Sequence, residues 1–192
     1  IFANRRREPL VFAAVSHHSS HQYLLTRWLR QHGINARRDL RLVVLPPDQM
    51  VRNLAAGHID GFCAGEPWGS FAIAQAGGWC AATSYELDSG HAEKVLLATE
   101  DFIEQRAAEY TALMAAVIEA CAWCDSTEGR SRLPALLARR KYLDLPAEFI
   151  ARSLLGPFDR GDGRLDSEPN FLVFHRFRAN EPTAEKALWM LE

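Results

Sequence analysis

The chain has 192 residues, 48% of them apolar, and a formal charge of −2. That is enough apolar side chain to bury a core in one domain or in two small ones. A near-neutral balance argues against a nucleic-acid surface, and no stretch approaches the roughly 18 uncharged apolar residues of a transmembrane helix. The short basic clusters Arg5-Arg6-Arg7, Arg37-Arg38 and Arg139-Arg140-Lys141 read as solvated surface. The chain opens at Ile1 with neither an initiator methionine nor a signal-like segment, as expected of part of a longer protein.

A first strand is predicted over Leu10 to Val15, running into the polar cluster Ser16-His17-His18-Ser19-Ser20-His21-Gln22. A helix follows from Tyr23 to His32, with Leu24, Leu25, Trp28 and Leu29 as its buried stripe, Ser19 or Ser20 as N-cap and Gly33 after its end. A strand that runs into a helix start gathers free backbone N–H groups and a partial positive charge, which suits an anion. Leu42 to Leu45 is the next apolar run. It stops at Pro46-Pro47, a strand-to-helix corner, and Met50, Val51 and Leu54 then recur at helical spacing until Gly57. Ile59 to Ala64 is a third run, broken by the acid Asp60. It ends at Gly65-Glu66-Pro67-Trp68, where a helix to Gln75 begins and Gly77-Gly78 ends it. Strand, helix, strand, helix with tight connections make a βα unit of a largely parallel sheet.

Two further strands are expected, Trp79 to Thr83 and Lys94 to Thr99, with a polar loop over 85–93 between them. Beyond residue 100 the pattern turns helical, at 100–106, 110–124, 131–139 and 147–155. Phe158 to Pro169 reads as an acidic, glycine-rich loop, Phe171 to Phe174 as a short apolar piece, and 182–191 as a terminal helix. The chain divides near residue 88, into a compact α/β part and a mostly helical part.

Candidate chemistry gathers at few places. His17, His18 and His21 invite a metal reading with Asp60 and Glu66 as further ligands, but HHxxH has no recognised mechanism and HExxH is absent. Ser19, Ser20, His21 and Asp60 could be assembled into a triad, yet there is no GxSxG elbow. Neither a GxGxxG nor a P-loop is present, so no cofactor is expected and the chain is read as not an enzyme. A polar helix start leaves an anion or small-ligand contact through His21, flanked by Ser20 and Gln22, as the leading reading. Glu66 reads first as a helix cap, Trp68 as either pocket or core, and Lys94 as an ammonium able to sit at the mouth of a cleft between the two parts. Cys63 and Cys80, in strand-like runs, read as small buried apolar residues, Cys121 and Cys124 form a CxxC inside a helical run that reads as structural, and unpaired-looking cysteines tilt weakly toward a reducing compartment.

The segments VVLPPDQMVRNLAAGHIDGFCAGEPW, SSHQYLLTRWL, HAEKVLLATEDF and FDRGDGRLDSEPNFLVFHR resemble the nitrate/bicarbonate-binding proteins of bacterial ABC importers. These belong to a broader group with sulfonate-binding and thiamine-precursor-synthesis-like members. The resemblance implies an α/β, periplasmic-binding-protein-like (type II) two-lobed fold, with one lobe nearly complete and the other only partly present. Residues 10–88 would be the second lobe, and 89–192 a returning strand and helices of the first lobe, whose N-terminal part is missing. It further implies a small oxyanion, nitrate or nitrite, held by His21 and Lys94, with Ser20, Gln22, Glu66 and Trp68 at the cleft.

Where importer proteins carry FPGGTH, this chain has SHHSSH, which looks more like the cytoplasmic nitrate/nitrite sensors of nitrate-assimilation operons. Such sensors hold an RNA-binding antiterminator inactive. The expected partner besides the anion is therefore an antiterminator or the membrane components of an ABC importer, and the expected location cytoplasmic, with periplasmic or lipid-anchored as the alternative. Competing readings are a bicarbonate- or sulfonate-binding transport protein, or a metal-dependent hydrolase built on His17, His18 and His21.

Overall fold

The structure, a computed structural model, describes residues 9–91, 93–167 and 170–189. Arg5-Arg6-Arg7, the end of the predicted 158–169 loop and the last residues of the predicted terminal helix lie outside the described residues. The chain groups into two units, Ile1–Leu87 with Pro157–Ser167, and Asp88–Gly156 with Glu168–Glu192.

The first unit is built on three parallel strands in the order β2-β1-β3: β1 (Leu10–Ala14), β2 (Leu40–Val44) and β3 (Gly61–Cys63). The central strand, β1, pairs Leu10 with Leu40 through to Ala14 with Val44 on one side, and Phe12 with Gly61 through to Ala14 with Cys63 on the other. Parallel neighbours need crossover connections, and helices supply them. Helix α1 (Ser20–Gln31) joins β1 to β2, and α2 (Pro47–Ala55) joins β2 to β3 across the sheet.

Side chains alternate across a strand, so the sheet has two apolar faces to cover. Leu10, Phe12, Leu42 and Cys63 pack with Leu25, Leu29 and Trp28 of α1. Val11, Ala13, Val43 and Phe62 pack with Met50 and Leu54 of α2. Helices on opposite faces make this a small doubly wound sheet. Gly61 lies directly opposite Phe12, and a Cβ there would stand 2.7 Å from the Phe12 ring, so the ring occupies the space that glycine leaves. Asp60, the acid that interrupts its apolar run, closes the strand edge: its carboxylate accepts the Val11 N–H at 2.9 Å and its own N–H donates to the Val11 carbonyl at 2.7 Å.

Helices α3 (Trp68–Ala76) and α4 (Ser84–Leu87) follow, with Gly77 in the left-handed conformation closing α3. Residues 79–83, expected as a strand, are irregular, with Trp79 61% exposed. A short apolar run becomes a strand only where a neighbour accepts its ladder. The sheet ends at β3, and here Cys80 donates its N–H to the Arg160 carbonyl at 2.8 Å. That carbonyl belongs to a hairpin of β4 (Phe158–Asp159) and β5 (Leu165–Asp166), antiparallel strands within the stretch expected to be loop. Arg160, buried, anchors the hairpin through ion pairs to Glu86, at 2.6 Å, and Asp166.

The second unit is helical: α5 (Glu100–Gln105), α6 (Ala107–Asp125), α7 (Thr127–Leu137), α8 (Ala147–Leu154) and α9 (Ala184–Leu188). Leu133, Ile150 and Leu154 form its core, with Trp123, Leu136 and Leu172 packed around them. The strand expected from Lys94 to Thr99 is irregular, because no described strand lies beside it, and Val95 and Leu97 stand 71% and 85% exposed. The terminal helix starts later than expected, at Ala184, because the Thr183 hydroxyl caps it by accepting the Lys186 N–H.

By length and composition alone α6 is apolar enough to cross a membrane, although no such helix was expected. It carries Glu109, Glu119 and Asp125 and packs on α5 and α7. Asp125 ties its end to the chain fifty residues on. Its carboxylate accepts the backbone N–H groups of Phe174, His175 and Arg176 at 3.1, 2.7 and 2.9 Å, and pairs with Arg130 at 2.7 Å. Burial pushes the Asp125 pKa up, but the Arg176 and His175 N–H groups, the Arg130 guanidinium and the Phe174 N–H together hold it down, at about 2.

A depressed carboxylate contributes stability that is present above its unfolded pKa and lost as pH falls through the folded one. Asp125 is therefore expected to contribute about 2 kcal/mol at neutral pH, lost between about pH 4 and pH 2. Denaturant unfolding of Asp125→Asn should show that loss at pH 7 and a flatter acid limb. An acid limb identical to the wild type would contradict this role.

Candidate functional site

In a sheet of order β2-β1-β3 the chain leaves β1 toward one side and reaches β3 on the other. The loops after β1 and β3 then diverge at their carboxyl ends, and such a switch point leaves a crevice where ligands bind in open α/β sheets. The loop after β1 is Val15 to Ser19, and the loop after β3 is Ala64 to Pro67.

The first loop is a tight turn. Ser16 accepts at its carbonyl from the Ser19 N–H at 3.2 Å and the Ser19 hydroxyl at 2.8 Å. Ser19, extended at ψ 150°, is the N-cap, its oxygen accepting the Gln22 N–H at 3.3 Å. Of the two serines expected to cap, Ser19 does so, and α1 begins three residues earlier than predicted, at Ser20. Ser20 and His21 thereby become the first two residues of α1, both buried, and no acidic residue stands in this first turn. The first turn of α1 itself thus sets no carboxylate against the positive end of the helix.

From the loop after β3, Gly65 lies against His21: a Cβ on Gly65 would stand 3.7 Å from the imidazole Nε2. Glycine here leaves open the space beside that nitrogen. The Glu66–Pro67 peptide bond is cis. Pro67 occupies the cap position of α3 with no capping side chain, and the Glu66 carboxyl does that work, Oε2 accepting the Ser70 N–H at 3.2 Å. A Cβ on Gly69 would come within 2.5 Å of Glu66 Oε1, so the carboxyl lies where that side chain would be. Burial raises the Glu66 pKa, and the hydrogen bonds from Ser70 act in the opposite direction. Trp68, half-buried, meets Phe71 edge-on with centroids 6.4 Å apart.

Of the residues singled out in the sequence, the structure places Ser20, His21 and Gln22 on the first turn of α1 and brings Gly65 against His21, with Glu66 and Trp68 following it. Lys94 belongs to the second unit, where its side chain is 79% exposed and pairs with Glu93. Gly65 was not among the expected site residues, and its only signal was the glycine at the end of an apolar run. His17 and His18 are exposed, and His17 Nδ1 lies 3.2 Å from Gln22 Oε1. Among the described residues no three of His, Cys, Asp and Glu come together as a metal-binding group. The conjectured triad is not assembled either: Ser19 caps α1 and Asp60 closes the edge of β1. All four cysteines are free and half-buried.

The family model for the NMT1-like family matches residues 1–138. The chain belongs to the NMT1-like family. This NMT1-like chain is 39% identical over 177 residues to a nitrate import ATP-binding protein of Synechocystis sp., covering 91% of itself and 26% of that relative. It is 35% identical over 176 residues to a bicarbonate transport ATP-binding protein of Synechococcus elongatus, covering 90% of itself and 25% of that relative. Among solved structures it matches the periplasmic nitrate-binding protein NrtA of Synechocystis PCC 6803, with a TM-score of 0.90 and 26% identity, over 96% of this chain and 49% of that one. The fold is thus α/β and periplasmic-binding-protein-like, type II. The chain spans about a quarter of these curated relatives and about half of the solved one.

The expected cytoplasmic location is corrected by this match, because the solved neighbour is a periplasmic protein. Free cysteines were a poor guide to compartment: half-buried thiols that pack as small apolar groups are compatible with either side of a membrane.

The geometry at the start of α1 depends on the Ser19 cap. Ser19→Ala should lower stability by about 1 kcal/mol, read as a reduced midpoint in denaturant. Hydrogen exchange should show faster opening at the Gln22 amide, and an unchanged rate there would contradict the cap assignment.

Proposed function

We propose that this protein binds a small oxyanion, nitrate or nitrite, without chemical conversion, as the substrate-binding part of an ABC importer. The observation that carries the reading is the meeting of His21, at a helix start free of acidic residues, with Gly65 from the loop after β3. A trigonal monoanion needs several in-plane hydrogen-bond donors and a modest positive potential. The helix N-terminus, the imidazole and the Gly65 backbone offer both. Ser20, Gln22, Glu66 and Trp68 are proposed as its surroundings, and Lys94 as a second source of positive charge for anion affinity.

The curated relatives are named as nitrate import and bicarbonate transport proteins, and the solved one as nitrate-binding. That supports an importer role over the sensor role with an antiterminator partner. It also keeps bicarbonate as the nearest competing ligand, with sulfonates behind it. A hydrolase is less supported, since among the described residues no metal-binding group of His, Cys, Asp and Glu comes together, and Ser19 and Asp60 have structural duties.

We further propose that residues 10–88 form one lobe and that 89–192 contribute to another, completed by polypeptide like the remaining half of the solved relative. Within the second unit, the exposure of Val95 and Leu97, and the absence of any buried residue on the apolar α6, support a surface that further chain covers.

Calorimetric titration with nitrate, nitrite, bicarbonate and a sulfonate tests the reading. Nitrate or nitrite should bind most tightly, and His21→Ala and Lys94→Ala should each weaken it by about tenfold or more, or 1.4 kcal/mol. Unchanged affinity in His21→Ala would overturn the assignment of the site.

A further inference from the structure

The acid of the GEPW turn has a consequence for affinity that rests on the anion-site reading above. Glu66 follows Gly65 directly, and Gly65 faces the His21 Nε2. The carboxyl is not swung out to solvent. It folds back over the first turn of α3, into the space left by the missing side chain of Gly69, and accepts the N–H of Ser70, itself only 2% exposed. Gly69 thus makes room for a half-buried acid that directly follows Gly65 of the proposed anion site.

We propose that Glu66 is a proton-dependent determinant of anion affinity: with its proton it flanks the His21–Gly65 turn as a neutral hydrogen-bonding group, and without it it places a repelling negative charge there. The groups around it do not cancel that charge. Ser70 on its own helix is neutral, and Cys80, from the segment after α3, feels Glu66 electrostatically and is itself a buried thiol with its pKa raised to about 11 by burial. Arg160 acts on the same thiol, but its guanidinium is committed to Glu86 and Asp166. Beyond Gly65 the facing group is the His21 imidazole. Among the described residues no cation pairs with Glu66. Its burial favours the protonated form above the ordinary carboxylate range, in keeping with the role.

Two carboxylate-like charges in one poorly solvated turn are mutually destabilising, so anion binding and proton binding by Glu66 favour each other. Affinity should therefore be highest at low pH and fall as pH rises through the raised pKa of this group. Nitrate is the suitable probe, because it stays a monoanion throughout and contributes no titration of its own.

The test is nitrate calorimetry from about pH 5 to pH 8, in buffers of different ionisation enthalpy, on the wild type and Glu66→Gln. The wild type should take up protons on binding and lose about tenfold in affinity across the range. Glu66→Gln mimics the neutral acid and should keep the low-pH affinity further up the range, with a shallower slope than the wild type. A structural role alone would lower affinity at every pH and leave the slope unchanged. Equal slopes and equal proton uptake in the two proteins would overturn the proposal. So would nitrate binding to the wild type with no proton uptake at any pH, a measurement that needs no variant. Failure of the wild type to bind nitrate at any pH would instead overturn the anion-site reading on which the proposal rests.

Discussion

The central strand β1 is the constraint on which the first unit depends. Among the described residues it is the only strand paired on both edges, with β2 through five positions and β3 through three, and its N-terminal edge is closed further by the Asp60–Val11 hydrogen bonds. Its register decides which side chains meet α1 and which meet α2, because a slip of one residue would send the Phe12 face to the opposite layer. It also decides where the loops of the proposed site emerge. With β2 on one side and β3 on the other, the turns after β1 and β3 must leave the same end of the sheet and part there. His21 and Gly65, far apart in sequence, are neighbours for that reason.

The electrostatics of this end of the sheet follow from small residues in the right places. Ser19 caps the helix without bringing charge, so the N-terminal N–H groups keep their potential for a ligand. Gly65 sets no side chain against the imidazole, and Gly69 makes room for the Glu66 carboxyl. The single acid in the turn is half-buried, where burial favours the neutral form, while Arg160 of the hairpin is paired with Asp166 and with Glu86 of α4. An acid-free first turn and a neighbouring acid whose neutral form burial favours both act in the direction that the proposed anion site needs.

Much of this was legible in the amino-acid order. The corner at Pro46-Pro47, the stripe of Met50, Val51 and Leu54, and the stop at Gly57 predict a helix that is present as α2, because local propensity and tertiary packing agree there. The type II fold followed from resemblance rather than from periodicity. The two missing strands fail for a shared reason: 79–83 and 94–99 have the apolar composition of strands, but a strand needs a neighbour for its backbone, and composition does not show whether one is there. The β4–β5 hairpin escaped notice for the opposite reason, since two-residue strands around glycines leave no periodicity to read. Gly65 was illegible as a site residue because its contribution is the absence of a side chain beside a histidine that only the fold brings near.

The most direct test is a nitrate titration followed by nuclear magnetic resonance, observing the His21 imidazole and the Gly65 backbone amide together. The account predicts that both signals move along one saturation curve, with a shared dissociation constant. Saturable nitrate binding that leaves both signals where they were would contradict it.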